Sequence, residues 1–361
     1  MKFYIPTKIY SEENCVVNHA AELAAFGKKA MIVTGRHSAK ANGSLSDVLS
    51  ALGSQEVDSV IFDEIEENPS IETVMKAREA GLAAKVDFVI GIGGGSPLDA
   101  AKAIAMMIAN PDEDDSLLYD ATKPTKHLPV VNVPTTAGTG SEATPYSILT
   151  IHKKHTKKSL PHLIFPALSL VDGRYLTSIS KTGMVNTAVD TLAHLIESYL
   201  NAKATGYSRM FAERGLRLWA KEKLLLDSEP ADLNFEEQSL LMETSTIGGI
   251  AITHTSTSIP HGLSYMLTYE YGIPHGKAVG VFLPGYLRAY LDQSAVEEVL
   301  ALLKFDDVDQ FEKYIRNILG PVDVPKEKLA ENGRLIFDNA AKMASYPYPM
   351  SEEEMMEICM L

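Results

Sequence analysis

The chain is poor in cysteine, with only Cys15 and Cys359 in 361 residues. Two cysteines cannot build a disulfide framework, and neither belongs to a CxxC motif, so a reducing cytosol is the expected compartment. The amino-terminal residues also lack the apolar segment of a signal peptide. These absences predict a cytoplasmic protein.

Basic residues and long apolar runs are scarce as well. Lys and Arg together number 33 against 47 Asp and Glu, a net charge of −14. This balance argues against nucleic acid and against an anionic membrane surface as partners. We find no uninterrupted apolar run of the roughly 18 residues that a membrane-spanning helix needs. The length and a hydrophobic content of 45% instead predict a globular protein with two domains.

The first half of the chain alternates between strand-like and helical patterns. This alternation, with apolar strands buried on both faces, predicts a parallel sheet covered by helices. A lysine cluster at residues 153–158 precedes the last strands and is interpreted as a solvated loop. The predicted strands are 29–35, 57–62, 86–92, 128–133, 160–164 and 168–171, and the predicted helices are 44–52, 71–84 and 97–109.

The pattern becomes helical near residue 175. We therefore predict an α/β domain over residues 1–175 and an all-helical domain over residues 176–361, with a ligand cleft between them. The predicted helices are 181–201, 206–226, 235–253, 278–290, 294–303, 308–319, 326–344 and 351–358.

A glycine-rich stretch, VDFVIGIGGGSPLDAAK, joins the predicted strand at residues 86–92 to a helix. Gly94 and Gly95 would let a phosphate approach the main chain without a Cβ clash. We expect Ser96 to cap the helix and Asp99 to occupy its third position, as in a capping box. Free N–H groups at the helix start would then bind a pyrophosphate. The alternative interpretation is a tight turn with no ligand.

A second polar stretch, VPTTAGTGSEAT at residues 133–144, follows the next predicted strand. It is dense in hydroxyls and in glycine, and the alternative is a loop that merely caps the following element. Two such loops after successive strands are better explained by one extended ligand at the carboxyl ends of a parallel sheet.

A third clue to the ligand follows the strand that ends near residue 35. Gly35 is followed by Arg36, His37, Ser38 and Lys40, and no acidic residue is present to accept a hydrogen bond from a ribose 2′-hydroxyl. A basic environment suits a 2′-phosphate, so the sequence favours NADP over NAD. The alternative is that Arg36 and Lys40 are ordinary surface charges.

The helix predicted over residues 181–201 carries Asp190 and His194 on one face, four residues apart. A carboxylate and an imidazole on one turn form half of a metal site, and His261 and His275 could complete it. Nitrogen and oxygen ligands of this kind suit Fe²⁺ or Zn²⁺. The alternative for any single histidine is a structural role.

Together, GGGSPLDAAKAIA, PTTAGTGSEAT, the Asp190-x3-His194 helix and the segment from His261 to the PHG at His275 resemble the iron-containing (group III) alcohol dehydrogenase family. The resemblance implies a dehydroquinate synthase-like architecture, with an α/β dinucleotide-binding domain and a helical catalytic domain. It also implies a homodimer or a larger homo-oligomer. The metal ligands it implies are Asp190, His194, His261 and His275, and the nucleotide contacts are Gly35, Ser38, Gly94, Gly95, Ser96, Asp99, Thr135, Thr136, Thr139 and Lys158.

The resemblance further implies hydride transfer between NAD(P)(H) and a small primary alcohol or aldehyde, with the metal as Lewis acid. Asp190, His261 and Tyr265 are the expected catalytic residues. Many members of the family carry a histidine where this chain has Tyr265, and a phenol is a poor base at neutral pH. Alternatives are a glycerol dehydrogenase-like or dehydroquinate synthase-like metalloenzyme, or a non-catalytic NADP-binding protein.

Overall fold

The structure is a computed structural model that describes residues 3–360. The chain divides into two compact units. The sheet unit comprises Ile5–Ser180 and Glu229–Thr246, and the helical unit comprises, within the described residues, 3–4, Lys181–Ser228 and 247–360. The predicted division at residues 175 and 176 stays a prediction.

A six-stranded, wholly parallel sheet forms the centre of the sheet unit, with the strand order β1-β8-β5-β4-β2-β3. A two-stranded antiparallel hairpin, β6-β7, stands apart from it. The strands are β1 (Lys8–Ser11), β2 (Lys29–Thr34), β3 (Asp58–Phe62), β4 (Phe88–Gly93), β5 (Val130–Pro134), β6 (Ile148–Ile151), β7 (Thr156–Ser159) and β8 (Leu168–Val171).

The strand order reverses between β2 and β4. From β2 the chain moves outward to β3, and it then returns to the other side of β2 to form β4 and, beyond it, β5. Ligands of open parallel sheets bind at the carboxyl ends of the strands at such a reversal. The two candidate nucleotide segments after β2 and β4 therefore lie where this fold binds ligands.

Helices cover both faces of the sheet. As a result, β2, β4, β5 and β8 are buried at almost every position. The boundary between residues 246 and 247 falls within α9. The helices from α1 to α9 are α1 (Cys15–Asn18), α2 (Ala20–Ala24), α3 (Ser38–Ala41), α4 (Ser44–Ser54), α5 (Ile71–Ala84), α6 (Gly95–Ala109), α7 (Lys181–Tyr199), α8 (Gly206–Glu222) and α9 (Phe235–Thr255). Short 3₁₀ turns lie at Asp115–Tyr119, His152–Lys154, Gly173–Ser178 and Pro230–Asp232.

The helical unit is formed by α7, α8, part of α9 and all later helices. None of the helices in the described residues is both long enough and apolar enough to span a membrane. The later helices are α10 (Ile259–Tyr271), α11 (His275–Gly280), α12 (Leu283–Ala289), α13 (Gln293–Leu303), α14 (Val308–Leu319), α15 (Lys326–Phe337), α16 (Ala340–Met343) and α17 (Glu352–Cys359).

The predicted fold class is confirmed, but several predicted elements are wrong. Residues 160–164 are not a strand, because Pro161 has no N–H to donate to a ladder. The lysine cluster is not a simple loop, since residues 156–159 pair with β6. Helix 278–290 is split before Pro284, and helix 326–344 is split at Asn339, whose side chain caps α16.

Candidate metal centre and nucleotide-binding loops

Helix α7 places Asp190 and His194 on one buried face. Fifteen of the 19 residues of this helix are buried, so it is embedded along almost its whole length. One helical turn separates the two side chains, and His194 Nε2 lies 3.8 Å from Asp190 Oδ1. The spacing that the sequence predicted therefore brings the carboxylate and the first imidazole together.

Helices α10 and α11 bring the other two histidines to the same carboxylate oxygen. His261 Nε2 lies 3.4 Å from Asp190 Oδ1, and His275 Nε2 lies 3.7 Å from it. Asp190, His261 and His275 each offer one potential ligand atom, and these three atoms lie within 4.8 Å of one another. The ring of His194 stacks on that of His261, with 4.7 Å between the ring centroids. Three of the four predicted metal ligands thus form a group that could hold an ion, and the fourth, His194, lies beside it.

A main-chain contact holds the start of α11 against α7. A Cβ atom placed on Gly276 would lie 1.7 Å from the carbonyl oxygen of Asn186, so only glycine fits between the two helices. Gly276 follows His275, and Asn186 precedes Asp190 by one helical turn. This close approach places His275 beside the carboxylate.

The charges of the cluster stabilise each other. Burial raises the pKa of Asp190, but the positive charges of His194, His275 and His261 outweigh burial and hold that pKa well below its usual range. Burial lowers the pKa of His261, but Glu197 and Asp190 outweigh it and raise the pKa to about 9. The centre is therefore an environment that favours positive charge next to an ionised carboxylate.

Two buried atoms of the cluster point to a metal. Among the described residues, Asp190 Oδ1 and His261 Nε2 have no hydrogen-bond partner although both are buried. Buried polar atoms are rarely left in this state unless an ion or another ligand completes the site. A carboxylate with three imidazoles is a donor set that Fe²⁺ or Zn²⁺ accepts. The residues present fit a divalent metal.

Glu197 is a residue of this site that the sequence interpretation missed. It lies on α7, is fully buried, and accepts a hydrogen bond from His261 Nδ1 at 2.7 Å. The available signal was its spacing, since Glu197 follows Asp190 by seven residues and so shares its helix face. A glutamate on an amphipathic helix is usually exposed, and the sequence alone gave no reason to treat this one differently.

Tyr265 lies next to the cluster, one turn after His261 on α10. Its ring stacks against that of His275, with 6.1 Å between centroids. Lys342 Nζ lies 5.7 Å from the centroid of the Tyr265 ring and donates to Thr257 Oγ1 at 3.4 Å. Burial lowers the pKa of Lys342. Tyr265, the residue that departs from the family pattern, therefore lies beside the amino group of Lys342, which the sequence interpretation also missed.

The glycine loop (residues 93–96) joins β4 to α6, but the predicted cap is wrong. Helix α6 begins at Gly95 with Gly94 as its N-cap, and no side chain caps it. Ser96 Oγ instead accepts a hydrogen bond from Asn68 N at 3.0 Å. The Asp99 carboxylate accepts from Ser141 Oγ at 2.5 Å and from Ile148 N at 2.8 Å, so it joins neighbouring segments rather than closing a capping box.

The glycine loop meets the threonine loop (residues 135–141) that follows β5. Thr135 N donates to Gly93 O at 2.9 Å. A Cβ on Gly94 would lie 3.1 Å from Thr136 Oγ1. The fully buried Lys102 of α6 holds the threonine loop in place, because its Nζ donates hydrogen bonds to Ser141 O at 2.8 Å and to Ser141 Oγ at 2.7 Å. The two loops that the sequence predicted to share a ligand are thus adjacent.

The two lysines of β7 point in opposite directions. Lys158 is exposed, and its Nζ lies 5.6 Å from the centroid of the Tyr119 ring. Lys157 is buried, and its Nζ donates to Asn68 Oδ1 at 2.7 Å. Because Asn68 N also donates to Ser96 Oγ, Lys157 is the lysine linked to the glycine loop. The predicted nucleotide contact at Lys158 stays a prediction.

An acidic partner lies beside the segment after β2. Gly35 directly follows this strand and Ser38 begins α3, so both predicted contacts lie at the reversal of strand order. Lys40 Nζ forms an exposed ion pair with Asp63 Oδ2 at 2.7 Å. Asp63 directly follows β3, the neighbour of β2, which is why sequence proximity did not reveal it. The coenzyme contacts stay predictions.

Two family models cover almost the whole chain. The model for iron-containing alcohol dehydrogenase matches residues 6–173, and the model for the C-terminal domain of the same family matches residues 184–359. The chain belongs to the iron-containing alcohol dehydrogenase family. This membership confirms the resemblance that the sequence motifs indicated.

Solved structures and curated relatives agree with this family. The crystal structure of an iron-containing alcohol dehydrogenase from Thermotoga maritima is 36% identical, has a TM-score of 0.91, and matches over 99% of this chain and 98% of that one. Aldehyde-alcohol dehydrogenase 2 of Entamoeba histolytica is 31% identical over 79% of this chain, and the match spans about a third (34%) of that relative. An NADPH-dependent butanol dehydrogenase of Clostridium saccharobutylicum is 28% identical over 84% of this chain and 77% of its own length.

Proposed function

We propose that the chain catalyses the NAD(P)-dependent interconversion of a small primary alcohol and its aldehyde at a divalent metal. The observation that carries the proposal is the convergence of three imidazole nitrogens, each 3.4–3.8 Å from Asp190 Oδ1. A non-catalytic NADP-binding protein would have no use for two buried ligand atoms held without hydrogen-bond partners in the described part of the chain.

The protein's own residues hold the reacting groups and control charge. Asp190, His194, His261 and His275 would hold the metal, and three neutral imidazoles with one carboxylate would leave the site with about one net positive charge. When bound, the metal would supply Lewis-acid polarisation of the substrate oxygen. Tyr265, stacked beside His275, would line the site next to the reacting carbon, and the nucleotide would carry the hydride.

We propose that the glycine and threonine loops bind the pyrophosphate of the coenzyme, with Gly94, Gly95, Ser96, Thr135, Thr136 and Thr139 as contacts. Supporting this, α6 directs its free N–H groups toward the glycine loop, and an anion is stabilised at such a helix start. NADP is the favoured coenzyme, because Gly35 offers no carboxylate and Arg36 adds a positive charge. The NADPH dependence of the butanol dehydrogenase relative agrees with this choice.

The metal is proposed to be Fe²⁺ or Zn²⁺, and the substrate an unbranched alcohol or aldehyde. The donor set does not separate the two ions. The Clostridium relative acts on butanol, which makes butyraldehyde a suitable first substrate. A glycerol dehydrogenase-like enzyme is the main rival, and it is distinguished by assaying glycerol beside simple alcohols.

The test begins with protein purified without oxygen and stripped of metal. It is reloaded with Fe²⁺ or Zn²⁺ and assayed for NADPH and NADH consumption with butyraldehyde. We expect turnover that depends on the metal and is faster with NADPH. His261→Ala should abolish this turnover while the dissociation constant for NADPH stays within about twofold of the unchanged protein, a margin of roughly 0.4 kcal/mol. Full activity in a variant shown to be free of metal would refute the proposal.

A further inference from the structure

Glu197 sits directly behind one of the metal ligands. It occupies the last turn of α7, three residues after His194 and seven after Asp190, and its side chain is 0% exposed. Its Oε1 accepts hydrogen bonds from His261 Nδ1 at 2.7 Å and from His261 N at 3.2 Å, and its Oε2 accepts one from Ser258 N. Both oxygens of the buried carboxylate are therefore engaged by one short segment of α10.

These contacts determine which nitrogen of His261 carries the proton. An ionised carboxylate can only accept hydrogen bonds, so Nδ1 must be the protonated nitrogen. In the neutral imidazole the other nitrogen, Nε2, then presents a lone pair. Nε2 is the atom 3.4 Å from Asp190 Oδ1. The carboxylate thus directs the lone pair of His261 toward the centre of the cluster.

The same carboxylate fixes the position of the helix that carries His261. The side chain of Ser258, the N-cap of α10, makes no capping hydrogen bond to that helix. Glu197, which lies on α7, caps α10 instead, because it accepts hydrogen bonds from the main-chain N–H groups of Ser258 and His261. A negative charge at a helix start is also favoured by the helix dipole. One side chain therefore orients the ring and anchors its backbone.

We infer that Glu197 is a positioning residue of the metal centre, which acts through His261 by fixing its tautomer and its ring orientation. The inference rests on the proposed function only in requiring that the four ligands hold a metal. Hydrogen-bonded carboxylates behind histidine ligands commonly contribute 10- to 100-fold to metal affinity. We expect a loss of about that size when the Glu197 carboxylate is replaced by an amide.

The test measures metal binding without nucleotide or substrate. Zn²⁺ affinity is determined by chelator competition for the unchanged protein, Glu197→Gln, Glu197→Asp and His261→Ala. The control Glu298→Gln removes one exposed carboxylate of the same unit, which accepts from Tyr199 OH, and should leave the affinity unchanged. Glu197→Gln should weaken Zn²⁺ binding about 10- to 100-fold, and Glu197→Asp should recover part of the loss because it keeps the charge.

A double-mutant cycle separates positioning from a general structural role. If Glu197 acts through His261, Glu197→Gln should cost no further Zn²⁺ affinity in the His261→Ala background. The absorption spectrum of the Co²⁺-loaded protein should also change in Glu197→Gln, since the ring geometry of one ligand changes. If Glu197→Gln does not fold, the cycle is completed with Glu197→Asp.

Two outcomes would overturn the inference. One is a folded Glu197 variant that binds Zn²⁺ as tightly as the unchanged protein. The other is an equal loss of affinity in the presence and absence of the His261 side chain, which would indicate a structural effect. Failure of the unchanged protein to bind any metal would instead overturn the proposed function, so the two failures are distinguishable.

Discussion

Gly95 and Thr139 touch across the two loops of the sheet unit. A Cβ atom placed on Gly95, the first residue of α6, would lie 2.7 Å from Thr139 Cγ2, closer than Cβ contacts occur. The glycine loop and the threonine loop therefore fit each other only because residue 95 has no side chain. Their mutual position, and with it the proposed pyrophosphate site, depends on this pair.

Gly95→Ala should accordingly weaken nucleotide binding. Overpacking of this kind costs about 1–3 kcal/mol, so we expect the dissociation constant for NADPH to rise about 5- to 150-fold, measured by fluorescence titration. Thr139→Ser removes the colliding methyl group and keeps the hydroxyl, so it should restore much of the affinity in the double variant. Gly53→Ala, at a helical position with no atom within 4 Å, is the neutral control. Unchanged affinity in Gly95→Ala would place the nucleotide elsewhere.

The two lysines of β7 should respond differently to substitution. Lys157→Met leaves Asn68 Oδ1 without its charged donor, which should lower the free energy of unfolding by about 1–3 kcal/mol. Lys158→Met removes an exposed side chain, so it should change the free energy of unfolding by less than about 0.5 kcal/mol. It should nevertheless weaken NADPH binding. Thermal unfolding and nucleotide titration of both variants check this. Tight NADPH binding by Lys158→Met would remove Lys158 from the proposed contacts.

The ion pair between Lys40 and Asp63 should influence the choice of coenzyme. Asp63→Asn frees Lys40 to interact with a 2′-phosphate, so NADPH binding should tighten about two- to fivefold while NADH binding stays the same. Lys40→Met should shift the ratio of the two dissociation constants in the opposite direction. Titration of both coenzymes at low and high salt is the measurement, since an effect of exposed charge is screened by salt. Parallel changes for NADH and NADPH would contradict a 2′-phosphate contact.

Both thiols should be unreactive in the folded protein. Burial raises the pKa of Cys15 and the pKa of Cys359 from 9.0 to about 12, so neither is a thiolate at pH 8. Ellman's reagent should detect no thiol in the native protein at pH 8 and two after denaturation. A native thiol that reacts within minutes would show that one of the two sites opens readily.

The same thiols give stability a definite dependence on pH. Between pH 9 and 12 the unfolded thiols ionise while the buried ones stay protonated, so the unfolded state binds fewer protons. The free energy of unfolding should therefore fall as the pH rises through this range. Replacing both cysteines with alanine should reduce the slope, which denaturant titrations at pH 8.5 and pH 10 can measure.

Local patterns in the sequence predicted much of the sheet unit. Buried parallel strands such as β2 and β4 are mainly apolar, and glycine follows or ends them, so both were found with small errors at the ends. The hairpin was missed because β7 has lysine at both a buried position, Lys157, and an exposed position, Lys158. Its sequence therefore shows no alternation of apolar and polar residues. Strand β1 was missed because its burial at the edge of the sheet is only partial.

The metal centre was predictable in two unequal parts. The spacing of Asp190 and His194 follows from helix geometry, so the sequence alone indicated that half. The addition of His261 and His275 depended on the family resemblance, because no local rule brings residues 71 and 85 positions after Asp190 to the same point. Glu197 and Lys342 escaped both approaches, since their roles arise from tertiary contacts with α10.

The contact between Gly276 and the carbonyl of Asn186 has a consequence for which ions the centre accepts. Because this contact is between main-chain atoms, it sets the separation of the two backbones that carry His275 and Asp190, and only side-chain rotamers can adjust the 3.7 Å between His275 Nε2 and Asp190 Oδ1. The range of ionic radii that the four side chains can enclose is therefore limited by how closely α11 packs on α7. A single methyl group at position 276 would push α11 away from α7 and carry His275 away from Asp190, so we expect Gly276→Ala to change the preference among cations.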